Sequence, residues 1–425
     1  MPTHLVYLPL VFVCACSVAA PTPTPTPTPR PTATATPMVT AMPTTTITKT
    51  PAPTSTPIPS ATLALSATTI ATASATAAAT RSPFTWPTDS PANRGFDENK
   101  IAAIANTVTR TLPFVDSVLI IRNGHLIYER YFNGYAANQR HELASVTKSF
   151  VSAVVGAARA QGKLTNLDAK LPELLPAYFA DGNHADKTEI TLRHLLMMRS
   201  GLQWSEYASN DGGYGDWDAL IREDLTELVL SLPLAHTPGT AWNYSTADVQ
   251  IISSIVQHAT GLSMSAFAAE HLFAPLNIQN IDWGAIANGT TVGGTYLRMA
   301  PRDMAKLGQL YLQQGRWAGR QVVSADWVSL TITSQGEALN VEAGQTQTID
   351  WYGYLWWLRG HGYYDDRSNA VVAYGYGGQF IVILPELDMI VVTTATYDVP
   401  SAQAYAQDQA IYEFIRDGVM VAVIQ

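Results

Sequence analysis

The sequence predicts a mixed α/β fold of the α+β kind: an antiparallel sheet flanked by helices, with a mainly helical subdomain inserted into it. Three observations predict it. Residues 117–132 alternate polar and apolar side chains about Asn123-Gly124, the pattern of two strands joined by a tight hairpin turn. Toward the other end, residues 352–358, 370–376, 380–384 and 389–395 read as strands of one antiparallel sheet, rich in Val, Ile and Tyr. Between them, residues 165 to about 288 read as short helices and loops. Strands at both ends of a domain must meet in one sheet, so the helical stretch splits it.

The 425 residues are 47% hydrophobic, enough for a large core and for two or three domains. The formal net charge is -9 and no basic block occurs, which argues against a nucleic-acid partner. The cysteines are Cys14 and Cys16 alone, so neither a disulfide framework nor a cysteine metal site is expected. No His-Glu-x-x-His occurs either, and no cofactor is expected.

Taken in order, residues 1–20 hold a short apolar run from Leu5 to Ala20, too short for a spanning helix and ending in small residues. That is the pattern of an export signal. Two processing routes are open. Val18-Ala19-Ala20 resembles a signal peptidase site followed by Pro21, and Val13-Cys14-Ala15-Cys16 resembles a lipobox. The reading leans to the second, with Cys16 lipidated, the chain attached to a membrane, and the protein exported or anchored at a bacterial cell surface. Residues 21–91 are dominated by Thr, Pro, Ala and Ser, with a Pro-Thr repeat through Pro29. Such a segment cannot bury a core and is expected to be a disordered, extended spacer. The globular domain is expected over 92–425, with its helical subdomain at about 165–288.

Within it, helices are expected at 97–110, from Ser145 through the apolar run to Ala160, and at 191–198, 225–232, 246–260 and 263–273. Others follow at 301–314, 324–333 and 402–420. Ser145 and Lys148 form a Ser-x-x-Lys at the start of the second of these. A three-residue step on a helix brings both side chains to one face. A serine hydroxyl is a weak nucleophile until a base takes its proton, and a lysine with a lowered pKa can be that base. The helix N-terminus supplies N–H groups for a developing oxyanion. His141 is read as structural. The segment 203–217, Gly- and aromatic-rich, reads equally as a substrate-facing loop or as a surface loop with aromatic anchors.

The chain resembles the serine β-lactamase and penicillin-binding fold, nearest its class C branch of β-lactamase-related serine hydrolases. The stretches that carry the resemblance are Ser145-Val146-Thr147-Lys148-Ser149-Phe150, Leu195-Leu196-Met197-Met198-Arg199-Ser200-Gly201-Leu202 and Pro238-Gly239-Thr240-Ala241-Trp242-Asn243-Tyr244-Ser245-Thr246. Pro275-Leu276-Asn277-Ile278, Pro301-Arg302-Asp303-Met304 and Gly375-Tyr376-Gly377-Gly378-Gln379-Phe380 add to it. The wording is most similar to 6-aminohexanoate-dimer hydrolase-like proteins and carboxylesterases. The resemblance implies Ser145 as nucleophile, Lys148 as its partner and Tyr244 as the family tyrosine. Which of Lys148 and Tyr244 is the base stays open, because the two titrate as a coupled pair. Thr246 stands where the family has Asn. The family's Lys-Thr-Gly is absent, and residues 372–378 take its place with Ala373 at the lysine position. Gly375 is then expected against the substrate, and the Tyr376 N–H beside that of Ser145 in an oxyanion hole. A strict Tyr-x-Asn at Tyr131-Phe132-Asn133 precedes the serine and is set aside. The expected function is a serine hydrolase acting on a small amide or ester through an acyl-enzyme. A cell-wall D-amino-acid peptidase or penicillin-binding protein, and a non-catalytic sensor of the same fold, are the alternatives.

Overall fold

The computed structural model of the chain describes residues 84–206, 224–342, 345–360 and 363–424. The expected export signal, the spacer as far as residue 83, and the part of the aromatic-rich segment from 207 to 223 lie outside the described residues.

Strands β1 (Val115–Arg122) and β2 (His125–Tyr131) form the expected hairpin. Asn123 and Gly124 take φ of 50° and 71°, the left-handed pair that a two-residue turn between twisted strands requires. Next come the short strands β3 (His141–Glu142), β4 (Ile281–Trp283) and β5 (Leu297–Met299), which make a small sheet in the order β3-β5-β4. Strands β6 (Arg316–Trp317) and β7 (Arg320–Gln321) pair only with each other. The remaining strands are β8 (Glu337–Glu342), β9 (Gln345–Tyr352), β10 (Trp357–Arg359), β11 (Ala370–Gly375), β12 (Gln379–Leu384) and β13 (Met389–Ala395). The main sheet has eight antiparallel strands in the order β2-β1-β13-β12-β11-β10-β9-β8. Its closure joins both ends of the domain, with Ile120 of β1 opposite Val391 of β13.

Two expectations are corrected. Residues 352–358 are not one strand. The chain leaves β9 at Tyr352, and Leu355 sits at φ 64°. Long-range hydrogen bonds draw it out of the ladder: the Tyr354 N–H donates to the Thr331 carbonyl, the Leu355 N–H to the Leu196 carbonyl, and the Ser149 hydroxyl to the Leu355 carbonyl. The domain also starts before Ala92. Phe84 packs tilted and Trp86 edge-on against Trp317, Trp86 is buried, and the Leu126 N–H donates to the Pro87 carbonyl. Two aromatic residues in a Thr/Pro-rich run are anchors, whatever the composition around them.

Helices cover both faces of the sheet. Asp97 caps Glu98–Thr111 by accepting from the Asn99 and Lys100 N–H groups. Pro301–Leu312 packs under β12 and β13. The helix Val146–Ala160 lies between β11 and β12 on one side and the helix Thr246–Thr260 on the other. All its side chains from Val146 to Ala158 are buried, including the polar row of Lys148, Ser149 and Ser152 that continues from Ser145 along one face. A lysine in such a helix is the exception to be explained.

Candidate active site

Three residues, Leu143 to Ser145, separate β3 from that helix by a sharp turn. Ala144 takes φ 45°, a conformation that costs a non-glycine residue about 1 kcal/mol or more and needs support from its surroundings. Glu142 supplies the support. Its buried carboxylate accepts from the Ala144 N–H (3.3 Å), the Tyr296 N–H (2.9 Å) and Arg298 Nε (3.0 Å). Ser145 follows as the N-cap residue, but its hydroxyl caps nothing. It is turned instead to Lys148, whose Nζ lies 2.8 Å from Oγ.

Lys148 is 2% exposed. Nζ also donates to the Gly294 carbonyl at 3.0 Å and sits 4.9 Å from the centre of the Tyr244 ring. Burial disfavours the ammonium and pulls the lysine pKa down to about 8, while the Glu206 carboxylate pushes the other way. Burial, and then the neighbours Tyr352 and Glu206, hold the Tyr244 phenol well above its ordinary value. Ser145 lies near enough to the phenol to favour its ionised form, the smallest of the influences on it. The pair left open by sequence therefore separates: the lysine gives up its proton more readily than usual and the tyrosine less.

Thr246 opens the helix Thr246–Thr260 and is buried. Its side chain is committed to Glu206. Its hydroxyl donates to Glu206 Oε1 at 2.5 Å and its N–H to Oε2 at 3.0 Å, while Trp204 Nε1 donates to the same carboxylate at 2.6 Å. A threonine side chain is too short to reach where an asparagine amide would, and an acidic partner draws it back. Beside Tyr244, the rings of Trp242, Tyr352 and Trp357 form an aromatic wall, with Trp357 5.4 Å from Tyr244 and 5.8 Å from Trp242.

Gly375, expected against the substrate, abuts the turn that leads into Ser145. A Cβ on Gly375 would stand 2.4 Å from the Leu143 carbonyl oxygen and 3.1 Å from the Val146 nitrogen. Neither backbone atom can swing aside. Gly375→Ala is expected to force β11 and the Ser145 turn apart, costing about 1–3 kcal/mol of stability and at least about tenfold in kcat/KM. Thermal melting and steady-state kinetics on the purified variant check both. Tyr376 comes next, its hydroxyl donating to the Val399 carbonyl at 2.7 Å. Ala373 is fully buried opposite Ile381, a methyl group where the family carries an ammonium.

His141 is structural as read: buried, stacked on Tyr135 at 4.2 Å, and kept neutral by burial with its pKa down at about 4. Asn133 of the discarded Tyr-x-Asn donates to Asp116 and to the carbonyls of Pro113 and Val115, tying down the hairpin. Two participants escaped the sequence reading. Glu206 lies in a segment noted for its aromatics, and only its position beside Trp204 marked it. The Gly294 carbonyl was announced by Gly293-Gly294, a pair that permits close backbone approach.

Comparison with known proteins agrees with this geometry. Residues 113–414 match the Beta-lactamase family. The 6-aminohexanoate-dimer hydrolase of Paenarthrobacter ureafaciens is 25% identical over 306 residues, 68% of this chain and 74% of its own. Esterase EstB of Burkholderia gladioli is 29% identical over 205 residues, 43% of this chain and 50% of its own. This match spans half the length of the esterase. Among solved structures, the penicillin binding protein from Bacillus halodurans superimposes with a TM-score of 0.55 at 17% identity, over 73% of this chain and 99% of its own.

Proposed function

This chain belongs to the beta-lactamase family and is a serine hydrolase, and from that premise we propose that it is exported and cleaves amide or ester bonds through an acyl-enzyme on Ser145. The observation that carries the proposal is the contact between Ser145 Oγ and a buried Lys148 Nζ at 2.8 Å, with the Tyr244 ring centre 4.9 Å from the same Nζ.

In this reading Lys148 is the base. With its pKa down at about 8, a useful fraction is free amine at neutral pH, whereas the Tyr244 phenolate is out of reach. The free amine takes the Ser145 proton as Oγ bonds to the substrate carbonyl carbon, and the carbonyl π pair moves onto oxygen. The N–H groups of Ser145 and Tyr376 receive that charge, the role that the abutment of Gly375 on the turn supports. The tetrahedral species collapses by breaking the bond to the leaving amine or alcohol. That group takes the proton held at Lys148, relayed by the Tyr244 hydroxyl. Water, giving its proton to the same amine, then attacks the acyl carbon and releases Ser145 and the acid.

The acyl group is uncharged and apolar. Ala373 offers no cation for a β-lactam carboxylate, Thr246 spends its hydroxyl on Glu206, and the half-buried rings of Trp242 and Tyr244, backed by the buried Tyr352 and Trp357, offer apolar surface instead. A hydrogen bond to a charged group is worth about 1.5–3 kcal/mol, so its loss costs roughly ten- to a hundredfold. A short-chain nitrophenyl ester is therefore expected to show a higher kcat/KM than a chromogenic cephalosporin on one enzyme preparation. A cephalosporin turned over as fast as the ester would refute the substrate assignment. The leader pattern in residues 1–20 supports export, with lipidated Cys16 as the membrane attachment. The Thr/Pro-rich spacer fits a domain held off that surface.

A further inference from the structure

Lys148 is a cation in a helix buried on every side, and the anion that answers it comes from a different part of the chain. The Glu206 carboxylate, on the loop after Trp204, favours the charged form of Lys148, and the Thr246 side chain that holds this carboxylate shares with Lys148 Nζ the space beside Gly294. The carboxylate is fixed by three donors, the Thr246 hydroxyl, the Thr246 N–H and Trp204 Nε1. Two of these belong to the residue that stands in place of the family asparagine. An amide there would be neutral; this chain puts a threonine and a carboxylate in its stead.

We propose that Glu206 is a positioning residue that sets the proton on Lys148, so that the Thr246–Glu206 pair replaces a neutral amide with a charge and fixes the pH range in which Ser145 can be activated. The proposal rests on Lys148 being the base. A fixed anion near an ammonium stabilises the protonated form and retards loss of the proton, holding the amine ready to supply the leaving group. The other groups facing this cluster are Ser145 and Tyr244 on Lys148, and Tyr352 and Asp248 on Glu206. Asp248 accepts from the Ser200 and Ser245 hydroxyls, and burial raises its own pKa to about 7. It is the competing source of any pH dependence near neutrality.

The test is kcat/KM for a short-chain nitrophenyl ester from about pH 5.5 to 9.5, with thermal melts, on the full chain and four variants: Glu206→Gln, Glu206→Asp, Thr246→Val and Asp248→Asn. The wild type is expected to gain activity with pH along a limb near 8. Glu206→Gln is expected to move that limb down by about one pH unit, corresponding to a tenfold weaker hold on the proton, so that below pH 7 it keeps a larger share of its plateau rate than the wild type. Glu206→Asp, with the charge restored, should return the limb toward its original place. Thr246→Val, which cuts the hydroxyl tether and leaves both charges, should move it down by less, and it carries the test if Glu206→Gln does not fold. A limb that stays put in both Glu206→Gln and Thr246→Val, with only a lower plateau, overturns the proposal and leaves Lys148 as the base. A limb that vanishes in Asp248→Asn belongs to Asp248 and overturns the proposal as well. A wild type with no limb at all removes the Lys148 reading and this inference with it.

Discussion

Ser145→Ala is expected to abolish covalent labelling by a fluorophosphonate and to lower kcat/KM by about four to six orders of magnitude, the loss typical of a serine nucleophile that works as a unit with its base. The size of the effect follows from geometry. Ser145 Oγ meets Lys148 Nζ, itself beside the Tyr244 ring, and no neighbouring hydroxyl can take over. Ser149, one turn on, is buried and donates its hydroxyl to the Leu355 carbonyl at 2.8 Å. Ser152 is buried deeper in the same helix. Removing one oxygen from a side chain that makes no cap should leave the fold intact, so the melting temperature is expected to change little. Intact-mass analysis after labelling decides the matter: an adduct that survives in Ser145→Ala, or sits on another serine, refutes the assignment.

Lys148→Met should separate activity from stability in opposite directions. Loss of a positioned base is worth about 10²–10⁴-fold in rate, and that loss is expected in kcat. Stability is expected to hold or rise. An unfolded lysine keeps its proton up to about 10.5, whereas the folded Lys148 releases it at about 8. Between those values the unfolded chain binds the extra proton, so this residue's contribution to stability rises with pH and is least favourable below 8. At pH 7 the burden is on the order of 2–4 kcal/mol, offset in part by the hydrogen bonds to Ser145 and Gly294 and by Glu206. Methionine fills similar volume with no charge to desolvate. Melting at pH 7 and at pH 10 checks the sign: the advantage of Lys148→Met should shrink at the higher pH. A variant that melts well below the wild type at pH 7 would mean that the ammonium holds the core together.

What could be read from the sequence, and what could not, divides along range of contact. The hairpin about Asn123-Gly124, the start of the Thr246–Thr260 helix and the Ser145–Lys148 step are local, decided by turn chemistry, periodicity and helical pitch. Tyr244 and the placement of Gly375 needed the resemblance, because nothing local says that β11 will run against the turn at Leu143. Glu206 was missed for the same reason in stronger form. Its meaning lies in Lys148 and Thr246, 58 and 40 residues away by number, and no pattern in 203–206 encodes them. Strand β8 sits at the margin of the sheet, and its run Glu-Ala-Leu-Asn-Val-Glu lacks the enrichment in β-branched and aromatic residues that inner strands show. The break between β9 and β10 is made by hydrogen bonds to Thr331 and Leu196, which a propensity scale does not see.

The packing of residues 84–88 bears on how the domain tolerates truncation of the residues before it. Strand β2 is the outermost strand of the main sheet, and at Leu126 its outer rim is met by a parallel bridge from Thr88 and by the Pro87 carbonyl. Proteolysis or truncation at Ala92 would strip that cover along with the Phe84 and Trp86 anchors. The unmasked backbone of β2 would then be open to a neighbouring molecule, the usual route to edge-to-edge aggregation. A truncated domain that stays dispersed must keep residues 84–88.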